Sequence, residues 1–240
     1  MTLENNNEKM KHIKVAAFDA DDTLWDCQSA FEHVQKEYCS LLSPWADNDT
    51  VTRSLLETEK ANMPLLGFGC KAFTMSLIEN AIKVTGGKAD CCTLGKMLEL
   101  GKWLLRTPGS PLPDVKNTLA AIRQRTNLKM IVFTKGEAID QKNKMRRSGL
   151  NGYFDDVVIT DEKTCDEYLR LCRMCNCRPE ETVMVGNSFK SDIAPALSVG
   201  MNAIYIPYHT TWILEQAEEY DHPALKRVSR FADLLPLLAP

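Results

Sequence analysis

The sequence predicts an α/β protein: a doubly wound parallel sheet with an inserted all-helical domain. Three observations lead there. Short apolar runs of strand length alternate with helical stretches over residues 108–208, the signature of βαβ units. The stretch from about residue 26 to residue 105 instead carries long amphipathic patterns with no convincing strand. The composition, 44% hydrophobic and 25% charged over 240 residues, is that of a globular chain long enough for a core domain and a smaller insertion.

Ile13–Phe18 is mostly apolar and ends abruptly in acids, as a buried strand of a parallel sheet would. Beyond Asp26, the stretches Ser29–Leu42, Asp49–Ala61, Lys71–Val84 and Thr93–Leu105 have helical spacing, with Phe31, Val34, Tyr38 and Leu41 on one face of the first. Breaks are expected at Ser43-Pro44, from Met63-Pro64 to Gly69, and at Gly86-Gly87. The Pro/Gly-rich run Pro108–Pro113 is a boundary. After it come a helix over Asp114–Thr126 with its N-cap at or beside Asp114, a strand over Lys129–Phe133, and a helix over Glu137–Ser148 stopped by Gly149. A short strand Val157–Ile159, a helix Cys165–Cys175 and a strand Thr182–Val185 follow. A helix Ile193–Val199 stopped by Gly200, a strand Ala203–Ile206 and a short helix Phe231–Leu238 complete the reading. Residues 1–25 and 107–240 thus form the α/β core, and residues 26–106 the helical insertion.

Several function classes are disfavoured. A formal net charge of −3 builds no broad basic field, so nucleic acid is not expected as a partner. The apolar runs are far short of a membrane span, and residues 1–12 read as a polar tail rather than a signal peptide. The 9 cysteines are odd in number and irregularly spaced, unlike a secreted disulfide framework. Cys172-Arg173-Met174-Cys175, with Cys177 nearby, has the spacing of a zinc or redox pair. A structural zinc site needs four ligands, however, and no second pair follows, so reduced thiols buried along a helix are expected. A cytoplasmic, reducing location follows; the oligomeric state stays open.

In an open α/β sheet, ligands bind beyond the carboxyl ends of the strands. That selects Asp19–Thr23, Thr134–Gly136 and Gly186–Asp192. Asp19 and Asp21 crowd carboxylates at a buried strand end, where they repel unless a cation or donor groups compensate. Hard oxygen ligands suit magnesium. A carboxylate there could also attack phosphorus, and its neighbour could protonate a leaving oxygen. An acidic turn or helix cap would read the same in isolation. Thr134 and the backbone at Lys135 and Gly136 offer a hydroxyl and successive amides to an anion, or a plain strand-to-helix turn. Lys163 could pin a phosphate and hold charge on a carboxylate, although most lysines are surface residues. Asn187 and Asp192 offer an amide oxygen and a carboxylate to a metal, or simply a turn capping the next helix.

Taken together, the acid pair in Phe18-Asp19-Ala20-Asp21-Asp22-Thr23-Leu24, then Thr134, Lys163 and Gly186-Asn187-Ser188-Phe189-Lys190-Ser191-Asp192, in that order, resemble the motifs of the haloacid dehalogenase-like hydrolase superfamily, most of whose members are phosphatases. The resemblance covers about residues 13–26 and 108–208. It implies a Rossmann-like core with the insertion as an all-helical cap. It implies Asp19 as a nucleophile forming an aspartyl-phosphate, and Asp21 as general acid and then base, its backbone carbonyl also a magnesium ligand. It further implies Thr134, Lys135 and Lys163 at the phosphoryl group, and Asp19, Asp21, Asn187 and Asp192 around Mg2+. The family's fourth motif usually begins Gly-Asp. Asn187 brings an oxygen but no charge, which implies weaker magnesium binding or more reliance on Asp192.

The dehalogenase and phosphonatase branches lack an acid at the position of Asp21, so its presence implies a small phosphorylated substrate. A phosphomutase on the same core, and a catalytically silent module of the same fold, stay open as alternatives. In the insertion, Leu66–Lys71 could form a lip over the site or only an interhelical turn. His33 reads as a helix-surface or packing residue, and Tyr208-His209 could border the site. Trp25 resembles the tryptophan of the superfamily's compact magnesium-dependent phosphatases, which lack a large cap, or is equally a hinge packing residue.

Overall fold

A computed structural model describes Met10 and residues 12–239. The polar tail expected over residues 1–12 therefore lies almost entirely outside the described residues. The chain folds into two compact units. One runs through Asp26, then Gly109–Lys135, then from Met145 onward; the other joins Cys27–Pro108 to Gly136–Lys144.

The second unit is built from α1 (Gln28–Leu42), α2 (Asn48–Leu66), α3 (Cys70–Val84) and α4 (Cys91–Arg106). Val34, Tyr38, Leu42, Leu55, Leu77, Met97 and Leu104 form its core; of the face expected on α1, Val34 and Tyr38 are buried in it, and Phe31 and Leu41 pack against it partly buried. Asp47 and Asp90 cap α2 and α4 by accepting the Thr50 and Thr93 amides, at 2.8 and 2.6 Å. The break expected from Met63-Pro64 to Gly69 begins only after Leu66. Pro64 forfeits the backbone hydrogen bond to the Lys60 carbonyl, yet the helix continues to Leu66, and Gly67, at φ 67°, closes it through its amide on the Met63 carbonyl at 2.9 Å. In the Leu66–Lys71 segment, Lys71 pairs with Glu137, and the Cys70 thiol lies 3.4 Å from Asp140 Oδ2. His33 is exposed and stacks against Trp103 at 5.0 Å between ring centroids.

The first unit holds one parallel sheet of six strands: β1 (Val15–Phe18), β2 (Lys129–Lys135), β3 (Asp156–Thr160), β4 (Thr182–Gly186), β5 (Asn202–Tyr205) and β6 (Leu225–Arg227). Their order is β3-β2-β1-β4-β5-β6. The helices are α5 (Val115–Arg125), α6 (Ala138–Ser148, whose first turns belong to the other unit), α7 (Cys165–Met174), α8 (Ala194–Ser198) and α9 (Leu235–Leu238). Side chains alternate across the sheet. Ala16, Phe18, Val132 and Val185 pack with Leu119 and Ile122 of α5 and Leu237 of α9 on one face. Val15, Ala17, Phe133 and Met184 pack with Tyr168 and Leu171 of α7 on the other. Each fully buried aliphatic or Phe side chain contributes about 1.5–3 kcal/mol. Burial on both faces, more than strand propensity, therefore fixes a strand as short as β1. The doubly wound parallel sheet is as the sequence predicts.

Three local features differ from expectation. Asp114 precedes α5 in a left-handed conformation, φ 66°, and its side chain makes no capping bond. Phe189–Ile193 forms a π-turn ahead of α8, where the Asp192 and Ile193 amides share the Ser188 carbonyl at 2.8 and 3.3 Å. Strand β6 has no apolar run to announce it; Leu225-Lys226-Arg227 is an edge strand whose Arg227 lies over the rings of Tyr205 and Phe189, at 5.3 and 5.5 Å.

The cysteines are free: Cys172 is buried, Cys175 and Cys177 are half-buried, and Cys91, Cys92 and Cys165 are exposed. Burial pushes the Cys172 thiol up to about 11, far from a reactive thiolate at neutral pH. Alkylation at pH 7 followed by peptide mass spectrometry is expected to label Cys91, Cys92 and Cys165 well before Cys172. Early labelling of Cys172 would contradict this packing.

Candidate active site

Strands β2, β1 and β4 are in register, with Phe18 beside both Val132 and Val185, so the segments that follow them emerge side by side. Asp19 is the first residue past β1; its amide donates to the Val185 carbonyl at 2.8 Å, and it is 7% exposed. The chain then turns sharply. Leu24 N donates to the Ala20 carbonyl at 2.8 Å, and Asp22 adopts a left-handed conformation at φ 62°. The turn brings the Thr23 hydroxyl 3.0 Å from Asp19 Oδ2. Trp25 is buried, and it does more than pack. Its indole Nε1 donates to Asp21 Oδ1 at 2.6 Å, fixing the second acid of the motif.

Lys163 arrives from the loop after β3 and is buried. Its ammonium donates to Asp19 Oδ1 at 2.5 Å and to Asp192 Oδ1 at 2.6 Å. Asp192 comes from the π-turn after β4; its Oδ2 accepts the Ser188 amide at 2.9 Å, and it is 1% exposed. Gly186 is required beside it, since a Cβ there would overlap the Asp192 side chain. Tyr168 of α7 holds the same turn, its hydroxyl donating to the carbonyls of Ser191 and Asp192 at 2.9 and 3.1 Å. Thr134 is buried near the end of β2, where its hydroxyl makes a long bond, 3.4 Å, to the Lys135 carbonyl.

Two carboxylates on one ammonium leave the buried group short of positive charge. Burial first, and Asp192 second, push the Asp19 carboxyl up to about 7, against the opposing pull of Lys163. Burial alone would lower Lys163, but Asp19 and Asp192 more than offset it and hold it above its ordinary value.

The residues fit a magnesium ion. The terminal atom of the Asn187 side chain lies 3.0 Å from Thr23 Oγ1, 3.1 Å from the Asp21 carbonyl and 3.3 Å from Asp19 Oδ2. With the amide nitrogen turned inward, these are hydrogen bonds. With the oxygen turned inward, acceptor oxygens of Asp19, Asp21 and Asn187 meet with no proton between them, as around a cation. Adjacent oxygens on octahedral magnesium lie about 3 Å apart. This donor set mixes backbone and side-chain oxygens; among the described residues, no group of three His, Cys, Asp or Glu side chains alone could hold a metal.

Lys135 stands at the end of β2, but its ammonium is engaged elsewhere, by Ser191 Oγ at 2.9 Å and by Glu215. Glu215 escaped the sequence reading. It sits in a short 3-10 turn, Ile213–Glu215, between β5 and β6, and its surroundings read as loop. The only signal for it is its position beyond a strand's carboxyl end. Tyr208 and His209 stack on each other at 4.3 Å.

The family model for haloacid dehalogenase-like hydrolases matches residues 13–200. The chain belongs to this family. Among its relatives, it is 36% identical to the glyceraldehyde 3-phosphate phosphatase of Methanocaldococcus jannaschii, over 81% of this chain and 85% of that one. It is 24% identical to the N-acylneuraminate-9-phosphatase of Mus musculus, over 85% and 84%. A glyceraldehyde 3-phosphate phosphatase of Methanothermobacter thermautotrophicus, 34% identical, is matched over 40% of this chain and only 44% of its own length. A solved haloacid dehalogenase-like family hydrolase from Xanthomonas campestris superposes with a TM-score of 0.84 at 29% identity, covering 94% of this chain and 89% of that one. Family membership agrees with the order of motifs read along the sequence. No helix among the described residues is long and apolar enough to cross a membrane.

Proposed function

We propose that this protein is a magnesium-dependent phosphomonoesterase acting on a small phosphorylated metabolite through an aspartyl-phosphate at Asp19. The observation that carries the reading is the buried ammonium of Lys163 bridging Asp19 and Asp192, beside the acceptor oxygens of Asp19, Asp21 and Asn187.

The chemistry follows from those positions. Lys163 holds Asp19 Oδ1 and Thr23 holds Oδ2, so the carboxylate is oriented before substrate arrives. Asp19 attacks phosphorus, the ester P–O bond breaks, and the leaving oxygen takes a proton from Asp21. Because Asp21 Oδ1 is turned to Trp25, that proton rides on the other oxygen. Asp21, now ionised, takes a proton from water as it attacks the acyl phosphate, releasing inorganic phosphate and restoring Asp19. Thr134 and the backbone at Lys135 receive the phosphoryl oxygens, and Lys163 offsets their charge. Magnesium, held by Asp19, the Asp21 carbonyl and Asn187, with Asp192 acting through Lys163 or a water, would neutralise further negative charge when bound.

Matched relatives named glyceraldehyde 3-phosphate phosphatase and N-acylneuraminate-9-phosphatase support phosphate-ester hydrolysis and leave the substrate's identity open. We assign residues 26–106 the role of a substrate-selecting cap on the core of residues 1–25 and 107–240, and place the enzyme in the cytoplasm.

Phosphate release from a panel of phosphorylated metabolites and an aryl phosphate, with and without Mg2+, tests the reading. Magnesium-dependent release is expected. An isomerised product without free phosphate would favour a mutase, and metal binding without any turnover a silent module.

A further inference from the structure

We propose that Glu215 is a positioning residue for the catalytic centre: it ties the turn that carries Asp192 to the end of β2, and so holds Lys163 against Asp19. The inference rests on the phosphatase reading above.

Four polar side chains from three separate segments close on one another here. Glu215 Oε1 pairs with Lys135 at the end of β2. Glu215 Oε2 accepts from Ser188 Oγ at 2.7 Å and Ser191 Oγ at 2.6 Å, both in the turn after β4. Ser191 Oγ in turn accepts from Lys135 at 2.9 Å, and Ser188 Oγ accepts the Ser191 amide at 3.0 Å. Both serine protons are allotted. Each serine hydroxyl gives its single proton to Glu215 and receives one from Lys135 or from an amide. Only an ionised carboxylate at position 215 satisfies both serines and the lysine together.

The side chains of Lys135 and Glu215 are mostly buried, 17% and 14% exposed, as are Ser188 and Ser191 at 8% each, so the network is shielded from the screening that weakens surface pairs. Burial alone would raise Glu215, but Lys135 and the two serines hold it below the usual carboxylate range. Outside the network, Lys190 Nζ donates to the Leu214 carbonyl at 2.7 Å, a second tie between the same two segments.

The mechanical consequence lies one bond further on. The Ser188 amide donates to Asp192 Oδ2, and Asp192 Oδ1 receives Lys163, which receives Asp19. Asn187 is the residue just before Ser188. Releasing Glu215 removes the acceptor shared by the two serines at the start and near the end of the turn, and leaves the weaker ties of Lys135 to Ser191, Lys190 to the Leu214 carbonyl and Tyr168 to the backbone. Partners that orient a first layer of ligands typically matter by about 10–100-fold when lost.

The test compares wild type with Glu215→Gln, which keeps size but can no longer accept from both serines and Lys135 together. The wild type is assayed first; if it releases no phosphate, the phosphatase reading itself fails. With an active wild type, Glu215→Gln is expected to lower kcat by about 10–100-fold, change KM by less than about 3-fold, and weaken Mg2+ binding measured by calorimetry. Arg123→Ala, which breaks the distant 2.7 Å pair with Asp155, controls for mere loss of stability and should leave kcat unchanged. If Glu215→Gln does not fold, Ser191→Ala removes two of the network's bonds with less disturbance and should shift kcat and Mg2+ binding the same way. A folded variant with kcat and Mg2+ affinity within twofold of wild type overturns the proposal.

Discussion

Asp19→Asn is expected to abolish phosphate release, by on the order of 10⁴-fold or more, while leaving the fold intact. An amide of the same shape cannot attack phosphorus, and removing a nucleophile costs about that much in well-studied hydrolases. Fold retention follows from the local charges. The buried group holds Asp19 and Asp192 against the single ammonium of Lys163, and the variant leaves Lys163 paired with Asp192.

The same substitution carries a pH signature. The Asp19 carboxyl is raised from 3.8 to about 7, chiefly by burial and next by Asp192. A raised carboxyl favours the protonated form in the folded state. Its contribution to stability is full below 3.8 and is lost as pH rises through about 7. Metal-free wild type should therefore lose more thermal stability between pH 5 and pH 8 than metal-free Asp19→Asn. Melting curves in chelator at several pH values check this. Parallel pH profiles for the two proteins would mean that Lys163 fully compensates Asp19 and that no proton is shared. Residual phosphate release in the variant would move the nucleophile elsewhere.

How much of this was legible in the residues follows from what each signal depends on. Strand β1 could be read because its burial on both faces demands an unbroken apolar run, and the acids that follow mark the point where the core ends. Lys163 could not be singled out by pattern, since a lysine bridging two buried carboxylates and one in solvent have the same local sequence; only its place in the series of motifs selected it. Glu215 and the Trp25–Asp21 bond were invisible for a related reason. Each is a tertiary hydrogen bond whose residue type also suits a blander role, loop acid or packing ring. Likewise β6 is an edge strand held by Arg227 on aromatic rings rather than by an apolar run. The extension of α2 through Pro64 shows the limit of breaker rules: the missing N–H leaves the Lys60 carbonyl without its intrahelical donor, yet the helix carries that cost and runs on to Leu66.

The departure at Asn187 yields the second large expectation. Asn187→Asp should bind Mg2+ about tenfold more tightly or better, because a carboxylate replaces a neutral amide in a set of hard oxygens. That gain should have a cost without the metal. The new carboxylate would stand where the Asn187 amide now lies, 3.3 Å from Asp19 Oδ2 and 3.1 Å from the Asp21 carbonyl, with only the single Thr23 hydroxyl proton, 3.0 Å away, to share with Asp19. Like charges that close destabilise the fold or bind a proton. In chelator the variant should therefore melt several degrees below wild type, and saturating Mg2+ should raise its melting temperature more than it raises that of wild type. Tighter binding should also release more protons per ion near neutral pH, detectable by calorimetry in buffers of different ionisation enthalpy. The orientation of one amide decides between the two outcomes. If Asn187→Asp leaves Mg2+ affinity unchanged and lowers stability with and without the ion alike, then Asn187 points its nitrogen inward as a donor to Asp19, Thr23 and the Asp21 carbonyl. The ion must then be held by Asp19, Asp21 and Asp192 without it.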